Sequence, residues 1–166
     1  MEKKNFYIID SCSLVDLNRH NPIDIFPSLW NKLEGLIKSN MMISHIEVFN
    51  EITQQDDKLT EWLKKYKQVI FKKVTLRQSE IVKDILKKYP SFIKKDSKYD
   101  ADSWLIALAK EIQEDPQKNL VFNIKRLVVT EESLKGNKIK IPFICKQFGI
   151  DCINRIEMIR QENWKF

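Results

Sequence analysis

Glycine is scarce, with three residues in a chain of 166. No loop can therefore wrap its backbone amides around a phosphate, which excludes the dinucleotide fingerprint and the P-loop. Histidine is scarcer still, at two. The three cysteines, Cys12, Cys145 and Cys152, are odd in number and lack the paired short spacings of a zinc site. Nothing resembles a signal peptide, and the N-terminal apolar stretch Phe6–Ile9 is too short to cross a membrane. The cysteines accordingly read as reduced, mostly core residues of a cytoplasmic protein with no membrane partner. Repeats, low-complexity tracts and Pro/Gly/Ser-rich linkers are also missing, so residues 1–166 read as a single domain.

What is present is an ordinary globular composition, 43% hydrophobic and 31% charged, with a net charge of +6. A basic balance suits a polyanionic partner, because neutralising phosphates supplies sequence-independent affinity. Lysine doublets recur at 64–65, 72–73, 87–88 and 94–95. Each taken singly is more often a solvated face than a contact.

Short apolar runs alternate with amphipathic stretches, which predicts βαβ units around a mostly parallel central sheet flanked by helices, a three-layer α/β fold. Phe6–Ile9 is continuously apolar, as a strand buried on both faces should be, and ends at Asp10 with Ser11 and Ser13 in a turn. Leu29, Trp30, Leu33, Leu36 and Ile37 recur at helical spacing, and Met41–Ser44 reads as a second strand. Ile46, Val48, Phe49 and Ile52 open another helix. Asp57 caps the next, and Thr75 with Gln78 forms a capping box ahead of Ile81–Leu86. Ser91–Tyr99 is a lysine-rich loop. Asp100 to about Ile112 is a helix apolar almost all round, hence central. Leu127–Val129 is a strand leading into Thr130-Glu131-Glu132. Pro142 starts a short helix that Gly149 ends, and Ile150–Ile153 offers a last strand.

In such a sheet, strand C-termini and helix N-termini share one edge, where ligand sites form. Asp10 follows the first strand, Glu51 lies in the helix after the second, Asp102 opens the buried helix, and Glu132 follows the Leu127–Val129 strand. Four carboxylates from distant positions would converge there, and hard oxygen ligands suit Mg²⁺ or Mn²⁺. Each has an ordinary alternative. Asp10 could end a strand, and Asp102 could be a favourable charge at a helix N-terminus. Asp102, however, shares its stripe with Leu105, Ile106, Ala109 and Ile112, where an unpaired carboxylate is costly. Glu47 rivals Glu51, Asp100 rivals Asp102, and Glu131 rivals Glu132.

Taken together, Tyr7-Ile8-Ile9-Asp10-Ser11, Glu51-Ile52, Ala101-Asp102-Ser103-Trp104-Leu105-Ile106-Ala107-Leu108-Ala109 and Val129-Thr130-Glu131-Glu132 resemble the four motifs of the PIN domain superfamily, which includes VapC-type toxins. The resemblance spans Tyr7 to about Ile153. It implies a PIN-like fold and a Mg²⁺- or Mn²⁺-dependent endoribonuclease. Asp10, Glu51, Asp102 and Glu132 would be catalytic and metal-binding, with Ser11, Ser13, Asp100, Thr130 and Glu131 as supporting or alternate groups. RNA would be the substrate, met by Lys94 and Lys95, and an antitoxin protein or a second copy would be the protein partner. Two departures stand out: a Glu at the fourth acid, where Asp is commoner, and Cys12 where Asn or Ser is frequent. Two other classes compete. One is a PIN-like module that binds RNA or protein without cutting. The other is a haloacid-dehalogenase-like phosphatase, which Cys12 disfavours because that chemistry wants a second Asp there.

Overall fold

Among the described residues five strands pair in the order β3-β2-β1-β4-β5, every pairing parallel. The structure is a computed structural model that describes residues 4–54, 57–93, 98, 100–119, 124–136 and 138–166. Chain order gives β1 (Lys4–Ile9), α1 (Ser11–His20), α2 (Pro27–Lys38), β2 (Met42–His45), α3 (Ile46–Ile52), α4 (Lys58–Ile70) and β3 (Phe71–Lys72). It continues through α5 (Leu76–Lys88), a single 3₁₀ turn at Pro90–Phe92, α6 (Ala101–Glu114) and α7 (Pro116–Asn119). Last come β4 (Ile124–Val129), α8 (Ile141–Gln147), β5 (Asp151–Ile153) and α9 (Arg155–Gln161). Lys94 and Lys95, the expected nucleic-acid contacts, lie outside the described residues, as does Tyr99.

The α/β class with a parallel sheet flanked by helices is as expected. Strands β1 and β4 form the central ladder, in register from Lys4 opposite Ile124 to Ile9 opposite Val129. Their apolar ends, Tyr7–Ile9 and Leu127–Val129, are almost wholly inaccessible to water. The chain builds outward from β1 to β2 and β3, then returns to β1's other side for β4 and β5. With right-handed crossovers, that reversal puts the crossover helices before it and those after it on opposite faces and opens a crevice between the C-terminal ends of β1 and β4. Helices α2 and α4 pack on each other and on β2, Trp30 meeting Trp62 edge to face at 4.8 Å. Helix α6 packs against β2, α3, α5 and α8, which makes it the central helix that its apolar stripe implied.

Asp57 caps α4 by accepting the Thr60 amide, and the Thr75–Gln78 capping box opens α5. Helix α8 starts at Ile141 with Pro142 in its first turn, and Gly149 leaves it with φ at +67°, a left-handed conformation that suits glycine. Besides α7 and the 3₁₀ turn, which the sequence reading did not name, three elements depart from it. A helix, α1, begins directly at Ser11 where the sequence pattern suggests a turn. Strand β3 is only two residues, too short to show a period. Helix α9 leaves no strong mark in the sequence, since its one fully buried residue is Met158.

His45 links the layers. Its Nδ1 accepts the Glu47 amide at 3.1 Å, capping α3, so Nε2 carries the proton and donates to Gln78 Oε1 at 3.1 Å. Gln78 in turn donates to Glu111 Oε2 at 2.6 Å, and Trp104 stacks on the imidazole at 5.4 Å. The ring is fully buried, and burial holds its pKa down at about 4 despite Gln78 and Glu111 pulling the other way. The folded state therefore binds fewer protons at this site than the unfolded state does. Stability from it is complete above the unfolded value near 6.5 and is lost as pH falls toward 4, by roughly 3 kcal/mol in all. Chemical denaturation of His45→Gln from pH 7 to 4 should lose this acid-side slope. A slope equal to wild type would mean that His45 is not held neutral.

Candidate functional site

Residue 10 sits where β1 ends and the crevice opens. Its amide completes the sheet by donating to Val129 O at 2.9 Å. One carboxylate oxygen, Oδ1, accepts the Ser11 amide at 2.7 Å, so Asp10 is the N-cap of α1. The other, Oδ2, accepts the Cys12 thiol at 2.8 Å and the Thr130 hydroxyl at 3.0 Å. Asp10 is 2% exposed and Thr130 2%. Cys12 departs from the motif in sequence, yet its thiol takes up a donor's role at the carboxylate. It also accepts the Glu131 amide at 3.3 Å.

Asp102 occupies the first turn of α6 and is 4% exposed, facing inward as its stripe required. It lies close enough to Asp10 that the two repel. Burial first, and Asp102 second, push the Asp10 carboxyl up to about 6, against the pull of its Cys12, Ser11 and Thr130 donors. Two buried carboxylates facing one another, one of them driven toward its neutral form, are what a divalent cation would relieve. Asp100 adds to this. It stands at the N-cap of α6 without capping it, and its buried Oδ1 has no hydrogen-bond partner among the described residues.

The other acids stand further out. Glu51, half-buried at the end of α3, is one hydroxyl away from Asp10: Ser11 Oγ lies 3.4 Å from both Asp10 Oδ1 and Glu51 Oε2. Glu47 turns to Asn50 instead. Glu132 Oε2 accepts the Ile141 amide at 2.9 Å, and its own amide donates to Thr130 Oγ1 at 3.2 Å. Glu132 also shares with Asp102 a cavity of about 410 Å³. Glu131 is directed elsewhere, to Arg155 (guanidinium and amide) and to Ser13 Oγ at 3.2 Å. It and Ser13 thereby tie α1 and α9 to the end of β4 and leave the crevice. Among the described residues no three His, Cys, Asp or Glu side chains stand close enough together to enclose an ion. The structure thus brings Asp10 and Asp102 together, hangs Glu51 beside them through Ser11, and sets Glu132 on the adjoining cavity wall.

Oxygen donors of this kind fit a hard cation such as Mg²⁺ or Mn²⁺. Asp10 and Asp102 would hold it, with Glu51 reached through Ser11 Oγ and Glu132 on the wall of the cavity that Asp102 also lines. Two further positions emerge only from the fold. Lys138 and Lys140 line the cavity that Asp102 and Glu132 share. Their signal in the sequence is the Lys138-Ile139-Lys140 alternation just after the fourth acid.

The model of a family described as a domain of unknown function, DUF4411, matches residues 7–166. Comparisons with curated proteins and with solved structures gave no match.

Two stability experiments follow from this geometry. A raised Asp10 pKa means that the folded state holds a proton which the unfolded state has lost. This site's contribution therefore falls as pH rises from about 4 to about 6, by roughly 3 kcal/mol. Asp10→Asn should then melt about 6 °C or more above wild type at pH 7 without divalent cation, and the gap should close toward pH 4. A variant that melts lower at both pH values would make Asp10 a turn residue only. At Glu132, Gln preserves the acceptor for the Ile141 amide and should leave the melting temperature nearly unchanged. Ala removes it and should cost about 1 kcal/mol, as loss of a helix cap does. Equal melting of the two variants would show that the Glu132–Ile141 bond contributes nothing.

Proposed function

The chain belongs to the DUF4411 family, and for this member we propose a divalent-cation-dependent endoribonuclease that hydrolyses RNA phosphodiester bonds. The observation that carries the proposal is the mutually repelling, buried Asp10–Asp102 pair at the β1/β4 crevice. Holding two carboxylates this deep and this close costs stability that the capping and bridging bonds of Asp10 only partly offset, and a bound cation would offset the rest. The resemblance to PIN domains, made on the same residues, supports the reading, as does the net charge of +6.

In this reading the chain's residues divide the work by position. Asp10 and Asp102 hold Mg²⁺ or Mn²⁺. The chemistry supplied by such a cation is activation of water and neutralisation of charge on the phosphate. Thr130, Cys12 and the Ser11 amide fix the rotamer of Asp10, so the carboxylate is oriented before any ion arrives. Ser11 Oγ ties Glu51 to the pair, where a further carboxylate can orient water toward phosphorus. Asp100 Oδ1 brings to the same helix start an acceptor with no donor among the described residues. Neither histidine is needed as a base: His45 is buried in the α3–α5 network, and His20 Nδ1 contacts the Asp16 carbonyl at 2.9 Å. An antitoxin-type protein is the partner that the likeness to VapC-type toxins would bring.

A second reading, a PIN-like module that binds RNA or protein without cutting it, gains from one observation. The Glu132 carboxylate already serves a backbone amide. Cleavage decides between them. Purified protein incubated with total RNA and Mn²⁺ should yield discrete cut ends, and chelator should abolish them. Asp10→Asn and Asp102→Asn should each lower the rate at least a hundredfold while remaining folded. Undiminished cutting in chelator, or in either variant, would overturn the mechanism, whereas RNA binding without cutting by wild type would favour the binding module.

A further inference from the structure

The cavity beside Asp102 and Glu132 is walled by both signs of charge. Its volume, about 410 Å³, is that of a site for one small unit rather than a broad groove. Asp102 and Glu132 supply the negative part of the lining. Lys138 and Lys140 come from the segment between β4 and α8, with Ile139 between them. Phe92, 5% exposed, closes the apolar part of the wall.

This segment is held at both ends. Its start is fixed by Thr130, which donates to Asp10 and accepts the Glu132 amide. Its end is fixed by Glu132, whose carboxylate accepts the Ile141 amide nine residues on. Lys140 is the residue immediately before that amide and has extended backbone angles, φ −129° and ψ 176°. The two lysines are therefore carried on a closed loop whose clasp is itself an acid of the site. Among the described residues neither lysine is in an ion pair, although two carboxylates line the same cavity. Lys138 is exposed and Lys140 half-buried.

A phosphodiester drawn toward Asp10 and Asp102 meets repulsion from both carboxylates. Ammonium groups in the same lining offset it and bias the direction in which the backbone enters. An apolar patch beside them suits a sugar or base face. A duplex is far wider than such a cavity, whereas one nucleotide of a single strand is not.

Resting on the nuclease reading above, we propose that Lys138 and Lys140 are the phosphate-binding residues of the site, and that they seat one nucleotide of single-stranded RNA beside Asp102. Lys94 and Lys95 lie outside the described residues; Lys138 and Lys140 are singled out by their place in the cavity wall.

The test is fluorescence anisotropy with a labelled 12-nucleotide single-stranded RNA in chelator, from about 50 to 300 mM KCl, run beside cleavage assays in Mn²⁺. Lys138→Gln/Lys140→Gln should bind about tenfold more weakly at low salt. The slope of log affinity against log salt should fall by about 1.4, near 0.7 for each phosphate of a single strand that is no longer neutralised. The KM for cleavage should rise in parallel while kcat stays within about threefold. A control of equal charge removal away from the cavity, Lys64→Gln/Lys73→Gln, should keep the wild-type slope. If wild type binds and cuts RNA but the Lys138/Lys140 variant keeps both slope and KM, this inference is wrong and the nuclease reading stands. Duplex RNA binding as tightly as single strand would overturn the single-strand assignment. Wild type that neither binds nor cuts would overturn both.

Discussion

One buried negative charge organises this molecule. Asp10 is placed by the backbone at the point where the order of strands reverses, and nothing there lets water solvate it. The surrounding donors, an amide, a thiol and a hydroxyl, come from two separate segments of chain, Ser11–Cys12 and Thr130. The carboxylate thus joins the start of α1 to the end of β4 across 120 residues. Thr130 extends the join to Glu132, and Glu132 extends it to α8. A packed core of Val, Ile and Leu would fold the sheet without any of this. The polar chain fixes where the ends of the strands lie relative to the helices, and so fixes the shape of the crevice.

Much of this frame is legible in the sequence because buried parallel strands and a central helix leave strong marks. Tyr7–Ile9 and Leu127–Val129 are unbroken apolar runs, and the Asp102 stripe has an unmistakable period. The acidic positions can be ordered along the chain, but their separations cannot be read from it. Whether Glu131 or Glu132 faces the crevice depends on Arg155, more than twenty residues away, whose guanidinium claims the first of them. No local pattern carries that information. Helix α1 is hidden for a different reason. Its opening residues are small and polar because they serve Asp10, so they read as a turn. Strand β3, of two residues, falls below the length at which alternation exists at all.

The glutamate at position 132 has a structural use that an aspartate would not fill so readily. One further methylene lets its carboxylate reach the Ile141 amide while its own amide stays on Thr130. The fourth acid therefore both closes the loop carrying Lys138 and Lys140 and borders the cavity with Asp102. Binding a cation at that carboxylate would compete with a bond that shapes the loop. Loop geometry and site occupancy are coupled through one side chain.

The position of β1 between β2 and β4 also has a bearing on how the chain reaches this state. The strand most deeply embedded in the sheet is made first, and its longest ladder is with a strand synthesised more than a hundred residues later. Non-local parallel pairing is slow to form, because the loop must close before any contact repays it. During synthesis at roughly 5–20 residues per second, Phe6–Ile9 presents apolar side chains and an unpaired backbone edge for several seconds. Pairing with β2 can cover one side of it in that interval. The other side waits for Ile124–Val129, and until then a second nascent chain offering the same strand is a competitor for that edge.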